Sequence, residues 1–171
     1  VLSTNPILPS DATIWVTDYI IQHYDVQTDT WYEYDSNNAG AATLSQVVPD
    51  QGYWVNVDSD RTVSFIGDAP GQRTVELFTG SNMIGWTSLT AKRMDIALWF
   101  IIDNVTGVEC QDTTDVSVKL LRTCNIATES FEPGKGYFVD VTDYTQWEYP
   151  RNIPPVANAG TDQTVDQGDT V

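Results

Sequence analysis

Apolar and polar residues alternate with a period of two in several short segments, and this spacing predicts β-strands. Residues 53–57 and 137–141 alternate in this way and are rich in aromatic and β-branched side chains. Residues 20–24, 31–34, 61–66, 74–78 and 83–86 also have strand composition. Residues 10–13 and 91–98 allow short helical turns, but neither stretch has an amphipathic helical pattern. The sequence therefore predicts a mainly β fold.

One block of sequence occurs twice: VPDQGYWVNVD at residues 48–58 returns as EPGKGYFVDVT at residues 132–142. Each block opens with a Pro-x-x-Gly-Tyr turn, in which proline presets φ and glycine can supply a positive φ. A repeat of this kind predicts two copies of one β module.

The predicted domains are two tandem β-sandwich-like or barrel-like repeats, at residues 1–69 and 70–152, followed by a linker and a further domain start at 153–171. A Gly/Pro cluster at residues 67–71 marks the boundary between the repeats. Gly85 and Trp86 open the second copy. The first copy has no equivalent pair, so it either lacks its first strand or receives it from elsewhere.

Two stretches resemble known families. Residues 154–171 (PPVANAGTDQTVDQGDTV) resemble the opening of a polycystic-kidney-disease (PKD) type domain, which implies an immunoglobulin-like sandwich continuing beyond them. The Gly-Tyr-(Trp/Phe)-Val block, with Gly85 and Trp86 upstream, resembles a module of bacterial and archaeal surface and secreted proteins. That family brings no catalytic residues. Both resemblances imply a spacer or adhesion module at the cell surface or outside the cell.

The net charge of the chain disfavours some classes of binding partner. It has 24 Asp+Glu against 8 Lys+Arg, a formal net charge of −16. Nucleic-acid binding depends on cations that neutralise phosphates, so we expect no nucleic-acid partner, and an anionic membrane is disfavoured for the same reason. No apolar run approaches the roughly 20 residues that span a bilayer, so no membrane insertion is expected.

The two cysteines, Cys110 and Cys124, fit either a disulfide or two buried free thiols. A disulfide would require an oxidising compartment, in agreement with an extracellular location. Asn104 begins an Asn-Val-Thr sequon, the acceptor pattern for N-glycosylation.

Catalytic patterns are weak. The sequence has a single histidine, His23, and no Gly-x-Ser-x-Gly elbow or phosphate-binding glycine loop accompanies it. Close carboxylate pairs occur among so many acidic residues, and none stands out as an acid–base pair. We therefore expect a non-enzymatic protein without an organic cofactor.

Structural calcium is the one cofactor that the sequence allows. Asp58 and Asp60 follow the first repeated strand, and Asp140 and Asp143 occupy the matching place in the second copy. Closely spaced aspartates at a turn can supply the oxygen ligands that Ca²⁺ takes. Aspartate is equally an ordinary turn residue, and both interpretations stay open here.

Aromatic residues are the strongest functional signal, with 6 Trp and 8 Tyr in the chain. Exposed rings can serve as flat platforms for sugar rings, and the candidate ligand-binding residues are Trp15, Trp31, Tyr32, Tyr34 and Trp99. The alternative is that such rings fill two small β cores. The equivalence of Trp54 and Phe138 in the two copies favours a core role there.

The sequence as a whole predicts a non-catalytic structural or adhesion module of a surface or secreted protein. Its expected partners are other surface domains or copies of itself. The alternative is a carbohydrate-binding module that holds a polysaccharide through exposed Trp and Tyr.

Overall fold

A computed structural model describes residues 19–57, 73–112 and 121–148 of the chain. The predicted mainly β fold is confirmed. The strands of these ranges are β1 (Tyr19–Asp25), β2 (Thr30–Asp35), β3 (Trp54–Val57), β4 (Thr74–Leu77), β5 (Gly80–Gly85), β6 (Lys92–Arg93), β7 (Val105–Gln111), β8 (Leu121–Thr123), β9 (Ser130–Phe131), β10 (Gly136–Val141) and β11 (Thr145–Glu148). A helical turn α1 (Met94–Ala97) and 3-10 segments at Ala39–Ala41 and Trp99–Asn104 complete the described elements.

The two halves of the chain share one strand arrangement. The first sheet has the order β2-β1-β3, and the second has the order β5-β10-β7-β8, in which β8-β7-β10 repeats the first pattern. All pairings in both sheets are antiparallel. Smaller sheets pair β11 with β4 and β6 with β9. The domain bounds at 1–69, 70–152 and 153–171 stay predictions, and the PKD-like stretch lies outside the described residues.

The repeated Pro-x-x-Gly-Tyr turns are closed by the same hydrogen bond in both halves. The Val48 amide donates to the Tyr53 hydroxyl at 2.7 Å, and the Glu132 amide donates to the Tyr137 hydroxyl at 2.8 Å. Each tyrosine thus satisfies an amide of the turn that precedes it. Burial raises the pKa of Tyr53 to about 12, so its hydroxyl stays protonated well above neutral pH.

Two hydrophobic clusters form the cores, one in each half. The larger cluster stacks Trp86 on Phe131 with ring centroids 5.1 Å apart, and Trp147 lies 5.6 Å from Phe131. The Trp147 indole also donates to the Ala97 carbonyl at 2.8 Å, which ties β11 to α1. The smaller cluster contains Tyr19, Ile21, Leu44 and Val47.

The predicted disulfide is confirmed and joins Cys110 on β7 to Cys124, one residue after β8. Both cysteines are buried in the larger core. The Cys124 amide donates to the Val108 carbonyl at 2.8 Å, so the bridge and the sheet hold the same segment. An intramolecular bridge of this kind is typical of proteins from an oxidising compartment.

Strand β5 connects the two halves because both of its edges are paired. One edge pairs with β10, and the other meets the first Pro-x-x-Gly-Tyr turn at a bridge between Gln51 and Ile84. The Gly52 amide donates to the Met83 carbonyl and the Gly85 amide to the Asp50 carbonyl, each at 3.0 Å. Strand β5 therefore pairs with the strand that follows the second turn and also borders the first turn.

The side chain of Asp50 strengthens this junction. Its carboxylate lies 2.6 Å from Arg73 Nε, and Thr87 Oγ1 donates to it at 3.3 Å. Asp50 also adopts a φ of 72°, a left-handed conformation that aspartate tolerates better than most residues. Burial raises the pKa of this carboxyl, and the Arg73 guanidinium opposes that rise.

Glycine is required at positions 52 and 85 because two backbone segments approach closely there. A Cβ on Gly85 would lie 2.6 Å from the Gln51 carbonyl oxygen, and a Cβ on Gly52 would lie 2.6 Å from the Ile84 carbonyl oxygen. Gly136, the second-copy equivalent of Gly52, lies beside the same strand, where an added Cβ would be 3.5 Å from the Ile84 oxygen. We call the contact of Gly52, Gly85 and Gly136 the glycine junction.

Residues 96–102, an apolar run about as long as one strand, are helical in the structure. The run begins in α1 and continues in the 3-10 segment Trp99–Asn104, consistent with the helical turn expected at residues 91–98. Met94, Leu98 and Ile101 from this region enter the larger core. Within the described ranges, no helix has the length and apolar character that a bilayer crossing would need.

We expect Gly85→Ala to destabilise the protein by about 1–3 kcal/mol, because the new methyl group must displace the backbone of residue 51. The loss should appear in urea unfolding followed by tryptophan fluorescence.

Gly40→Ala provides the matched control. Gly40 lies in the exposed 3-10 segment Ala39–Ala41, and an added Cβ there meets nothing within 4 Å. The control should keep or slightly raise the free energy of unfolding. Equal unfolding midpoints for the two variants would show that the glycine junction does not require close backbone contact.

Candidate functional site

The alternating pattern of the first sheet places one set of side chains on its outer face. Trp31 on β2 is the cross-strand partner of Tyr24, and Trp54 on β3 is the partner of Gln22. Successive residues of a strand point to opposite faces, so Gln22 and Tyr24 lie on the face opposite to Ile21 and the smaller core. Two indole rings and an amide therefore share the outer face.

The second sheet contributes to the same place because of the repeat. Trp54 and Phe138 are equivalent residues, each two positions after a glycine of the glycine junction. Tyr137, which lies between Gly136 and Phe138, points into the larger core. Phe138 is the next residue of the strand, so it points to the opposite face. The junction brings the two strand starts together, so both aromatic residues line one open cleft.

We call this space the aromatic cleft. It has a volume of about 380 Å³ and is lined by Gln22, Trp31, Trp54, Leu121 and Phe138. Its volume lies at the lower end of the range of roughly 300–1,000 Å³ that is typical of small-ligand sites. Both halves of the chain contribute side chains, so the cleft depends on how the two sheets are joined.

Trp31 is the most accessible ring of the aromatic cleft, with 48% of its surface exposed. It is held from the side, because its ring centroid lies 5.3 Å from that of Tyr24 and 6.4 Å from that of Phe138. Tyr24 is fixed in turn by a hydrogen bond from its hydroxyl to Asp29 at 2.8 Å. The Trp31 ring is therefore exposed and also positioned before any ligand arrives.

A polar pair adjoins these rings. The Gln22 amide donates to the Glu33 carboxylate, its cross-strand partner on the same face. Gln22 lines the aromatic cleft directly. Rings beside an amide–carboxylate pair can bind a ligand that has both apolar C–H faces and hydroxyl groups.

A second, more polar space of about 620 Å³ also contacts Trp54. We call this space the polar section, and its polar side chains include Gln111, Arg122, Glu129, Ser130, Glu132 and Lys135. Trp54 lines both spaces, and a narrow gap lined by Tyr53, Trp54, Gln111 and Phe138 lies between them.

The structure separates the predicted aromatic ligand-binding residues. Tyr32 and Tyr34 pack against the smaller core on the face opposite to Trp31, and Tyr34 lies 5.9 Å from Tyr19 between ring centroids. Trp99 is 69% exposed but lies in the helical segment after α1, and it does not line the aromatic cleft. Trp15 lies outside the described residues.

Sequence reasoning missed Trp54 as a residue that lines the cleft. The equivalence of Trp54 and Phe138 favoured a core role, and this holds for Phe138, which is buried. Trp54 is only half-buried and borders the cleft. The repeat in the sequence contained a signal for this cleft. When two repeats pack side by side, their equivalent positions face the same side, so Trp54 and Phe138 could be expected to lie near each other.

Only two of the four predicted calcium ligands, Asp140 and Asp143, are among the described residues, and neither belongs to a set of three close metal-ligand atoms there. Asp140 is half-buried on β10, and Asp143 is exposed in the turn after it, while Asp58 and Asp60 lie outside the described residues. The only described set of three close metal-ligand atoms belongs to Cys110, Cys124 and Glu129. Both sulfurs of that set form the disulfide, so these residues fit no metal ion.

Asn104 ends the 3-10 segment Trp99–Asn104 and is half-buried. Its backbone carbonyl accepts a hydrogen bond from the Thr142 amide at 2.9 Å. Thr106 of the same sequon is exposed. Glycosylation at Asn104 stays a prediction.

His23, the single histidine, is buried on the inner face of β1. Its Nδ1 lies 2.9 Å from the Gly52 carbonyl oxygen, and its ring centroid lies 5.3 Å from that of Tyr53. The ring therefore packs behind the glycine junction and helps to hold the first turn. Burial lowers the pKa of His23, and the Gly52 hydrogen bond and Asp25 oppose that shift.

No family model, curated protein or solved structure matches the chain.

We expect the free energy of unfolding to fall as the pH drops from about 7.5 to about 5.5. Folding lowers the pKa of His23 below its usual 6.5, so the unfolded chain takes up a proton first. The slope should not exceed about 1.4 kcal/mol per pH unit, the limit for one proton. Urea unfolding at a series of pH values measures it.

His23→Asn is the control, because its amide nitrogen takes the place of Nδ1 beside the Gly52 carbonyl oxygen but does not titrate in this range. The variant should show a flatter dependence of stability on pH over the same interval. A wild-type slope that persists in the variant would assign the dependence to other groups.

Proposed function

We propose that the chain is a non-catalytic adhesion module of a secreted or surface protein and that it adheres by holding a carbohydrate in the aromatic cleft. The observation that carries this proposal is the convergence of Trp31, Trp54 and Phe138, from both halves of the chain, on one open cleft. Trp31 is also exposed and sterically fixed.

The chemistry of the cleft suits sugar rings. One face of a pyranose carries mainly C–H groups and can pack on an indole, while its hydroxyl groups need hydrogen-bonding partners at the edge. The Gln22–Glu33 pair offers both donor and acceptor atoms beside the rings. A ring held in place before binding loses little conformational entropy when the ligand arrives.

Two further observations support an extracellular setting. The Cys110–Cys124 disulfide suits an oxidising compartment. The formal net charge of −16 favours a well-solvated surface, and it disfavours phosphate-rich partners such as nucleic acids. The resemblance of the repeated block to modules of surface and secreted proteins agrees with both.

We expect Trp31→Ala and Trp54→Ala each to weaken binding to the recognised polysaccharide by about 30-fold, as expected when a central aromatic anchor is truncated. A pull-down of the purified chain against a panel of insoluble and soluble polysaccharides identifies the ligand. Isothermal titration of the wild type and both variants then measures the affinity.

Trp99→Ala is the matched control, because it removes an exposed indole that does not line the cleft. It should bind as the wild type does, and repeating the screen with a chelator tests for a calcium requirement. Equal losses in all three variants, or no retention by any polysaccharide, would refute carbohydrate binding in the aromatic cleft.

Self-association is a second candidate function, favoured by a separate apolar surface. Ile96 of α1 and Trp99 and Phe100 of the 3-10 segment are exposed apolar residues close together in sequence, and Phe100 is 94% exposed. The opposite side of this segment is fixed in the larger core through Met94 and Leu98. Exposed apolar groups on a rigid support are typical of protein–protein contacts.

If this surface joins copies of the chain, sedimentation should show a concentration-dependent mass increase that Phe100→Ser abolishes. Tyr144→Ser, which changes an exposed aromatic residue near β11, is the control. A monomer at every concentration would leave adhesion to carbohydrate as the better supported function.

A further inference from the structure

The aromatic cleft is lined by equivalent positions of the two sheets. Trp54 of β3 pairs with β1, and Phe138 of β10 pairs with β7 at the matching register. The neighbouring strands β2 and β8 each add one residue at matching positions. The three pairs of equivalent residues are Gln22 with Glu109, Trp31 with Leu121, and Trp54 with Phe138. Five of these six residues line the cleft, and Glu109 is the sixth.

Glu109 lies on the side of the second sheet that faces the cleft. Its neighbours on β7, Val108 and Cys110, are both buried in the larger core, so Glu109 points to the opposite face. On that face it is the cross-strand partner of Phe138, and Leu121 lies at the diagonal position on β8. A carboxylate therefore lies between two residues of the cleft wall.

The first sheet places a second carboxylate beside the other wall. Glu33 lies two residues after Trp31 on β2, so the two side chains share a face. The Glu33 carboxylate accepts a hydrogen bond from the amide of Gln22, which lines the cleft. A carboxylate has about four acceptor sites, so this bond leaves Glu33 able to accept further hydrogen bonds.

No cationic side chain lines the aromatic cleft among the residues that the structure describes. Four of the described cations pair with carboxylates other than Glu33 and Glu109, namely Arg73 with Asp50, Arg93 with Asp95, Arg122 with Glu129, and Lys135 with Glu132. The whole chain carries a formal net charge of −16. The cleft therefore combines aromatic walls with a negative electrostatic potential.

We propose that the aromatic cleft binds a glycan of cationic amino sugars, whose units carry a free, protonated amine. The sugar rings pack on Trp31 and Trp54, and the ammonium groups bind to Glu33 and Glu109. This inference rests on the proposed function, and it adds the charge of the ligand and two residues that select for that charge.

The positive charge of the ligand follows from the chemistry of both walls. The face of an aromatic ring attracts an ammonium group, because the ring quadrupole places negative charge there. Glu33 and Glu109 attract the same group and repel an acidic glycan. A neutral sugar would contact the rings alone, whereas a protonated amino sugar contacts the rings and the carboxylates together.

The shape of the cleft favours a sugar over an isolated ammonium group. An aromatic cage surrounds such a group with ring faces on several sides. The aromatic cleft is open, with a volume of about 380 Å³, and 48% of the Trp31 surface is exposed. An open cleft with an exposed indole can take a flat sugar ring whose amine reaches a carboxylate at the edge.

The test is isothermal titration of the intact chain with three hexasaccharides that share one linkage and one ring skeleton. They differ only in the group at the second ring carbon, which is an amine in chitosan, an acetamide in chitin and a hydroxyl in cellulose. At about pH 5.5 the amines are protonated, and the chitosan hexamer should bind about 10-fold tighter than the other two. Raising the salt concentration from about 0.05 to about 0.5 M should weaken the binding of the chitosan hexamer most.

Two isosteric variants test the carboxylates. Glu33→Gln and Glu109→Gln should each weaken binding of the chitosan hexamer by about 5-fold and leave binding of the other hexamers unchanged. Asp103→Asn is the matched control, because it removes one exposed negative charge at a position that does not line the cleft. It should bind every ligand as the wild type does, and urea unfolding of all three variants checks that they are folded.

The outcomes distinguish this inference from the proposed function. Binding of a neutral glycan that depends on Trp31, and that neither glutamate variant changes, overturns the cationic ligand and keeps carbohydrate adhesion. Equal losses of chitosan affinity in Asp103→Asn and in the glutamate variants would mean attraction by net charge alone, and would overturn the roles of Glu33 and Glu109. Binding of polylysine but of no glycan overturns both proposals and assigns the cleft to a basic protein segment. No binding of any of these ligands, or of any polysaccharide in the wider panel, also overturns both.

Discussion

Close contact between backbones at the glycine junction is the constraint on which the rest of this structure depends. Gly85 lets β5 approach the first turn, and Gly52 lets that turn approach β5. The same strand is paired with β10 on its other edge, so the two halves share backbone hydrogen bonds instead of only side-chain contacts. Backbone hydrogen bonds fix both the distance between two strands and their relative direction. Side-chain packing alone restricts the two quantities less strictly.

The position of the candidate site follows from that constraint and from the number of residues between each junction glycine and the next aromatic residue. In each copy, a tyrosine separates the junction glycine from the next aromatic residue, and the period of two sends that residue to the outer face. Trp54 and Phe138 therefore line the same cleft although they are 84 positions apart in sequence. Trp31 reaches the same face through its pairing with Tyr24. A cleft built in this way is available without any rearrangement of the backbone.

Much of the fold was predictable, because the strands of both repeated blocks follow the period of two and the turns follow Pro-x-x-Gly-Tyr. The disulfide was predicted as one of two alternatives. The aromatic cleft was not predicted, since local patterns assign a residue to a face but do not say what that face meets. Tyr32 and Tyr34 show the difficulty: their composition fits a sugar platform, yet their side chains pack against the smaller core. Only the pairing of β5 on both edges decides which rings share a space.

The disulfide also sets how the chain would respond to mechanical load. Cys110 and Cys124 are 14 positions apart, and the bridge holds their Cα atoms at 5.8 Å. A pull on the two ends of the protein could not lengthen this loop while the bridge is intact, which removes about 40 Å from the fully stretched length. The loop belongs to the half that supplies Leu121 and Phe138 to the aromatic cleft. In a tethered adhesion protein, β7 and β8 would thus stay linked under tension after weaker strand pairs had separated.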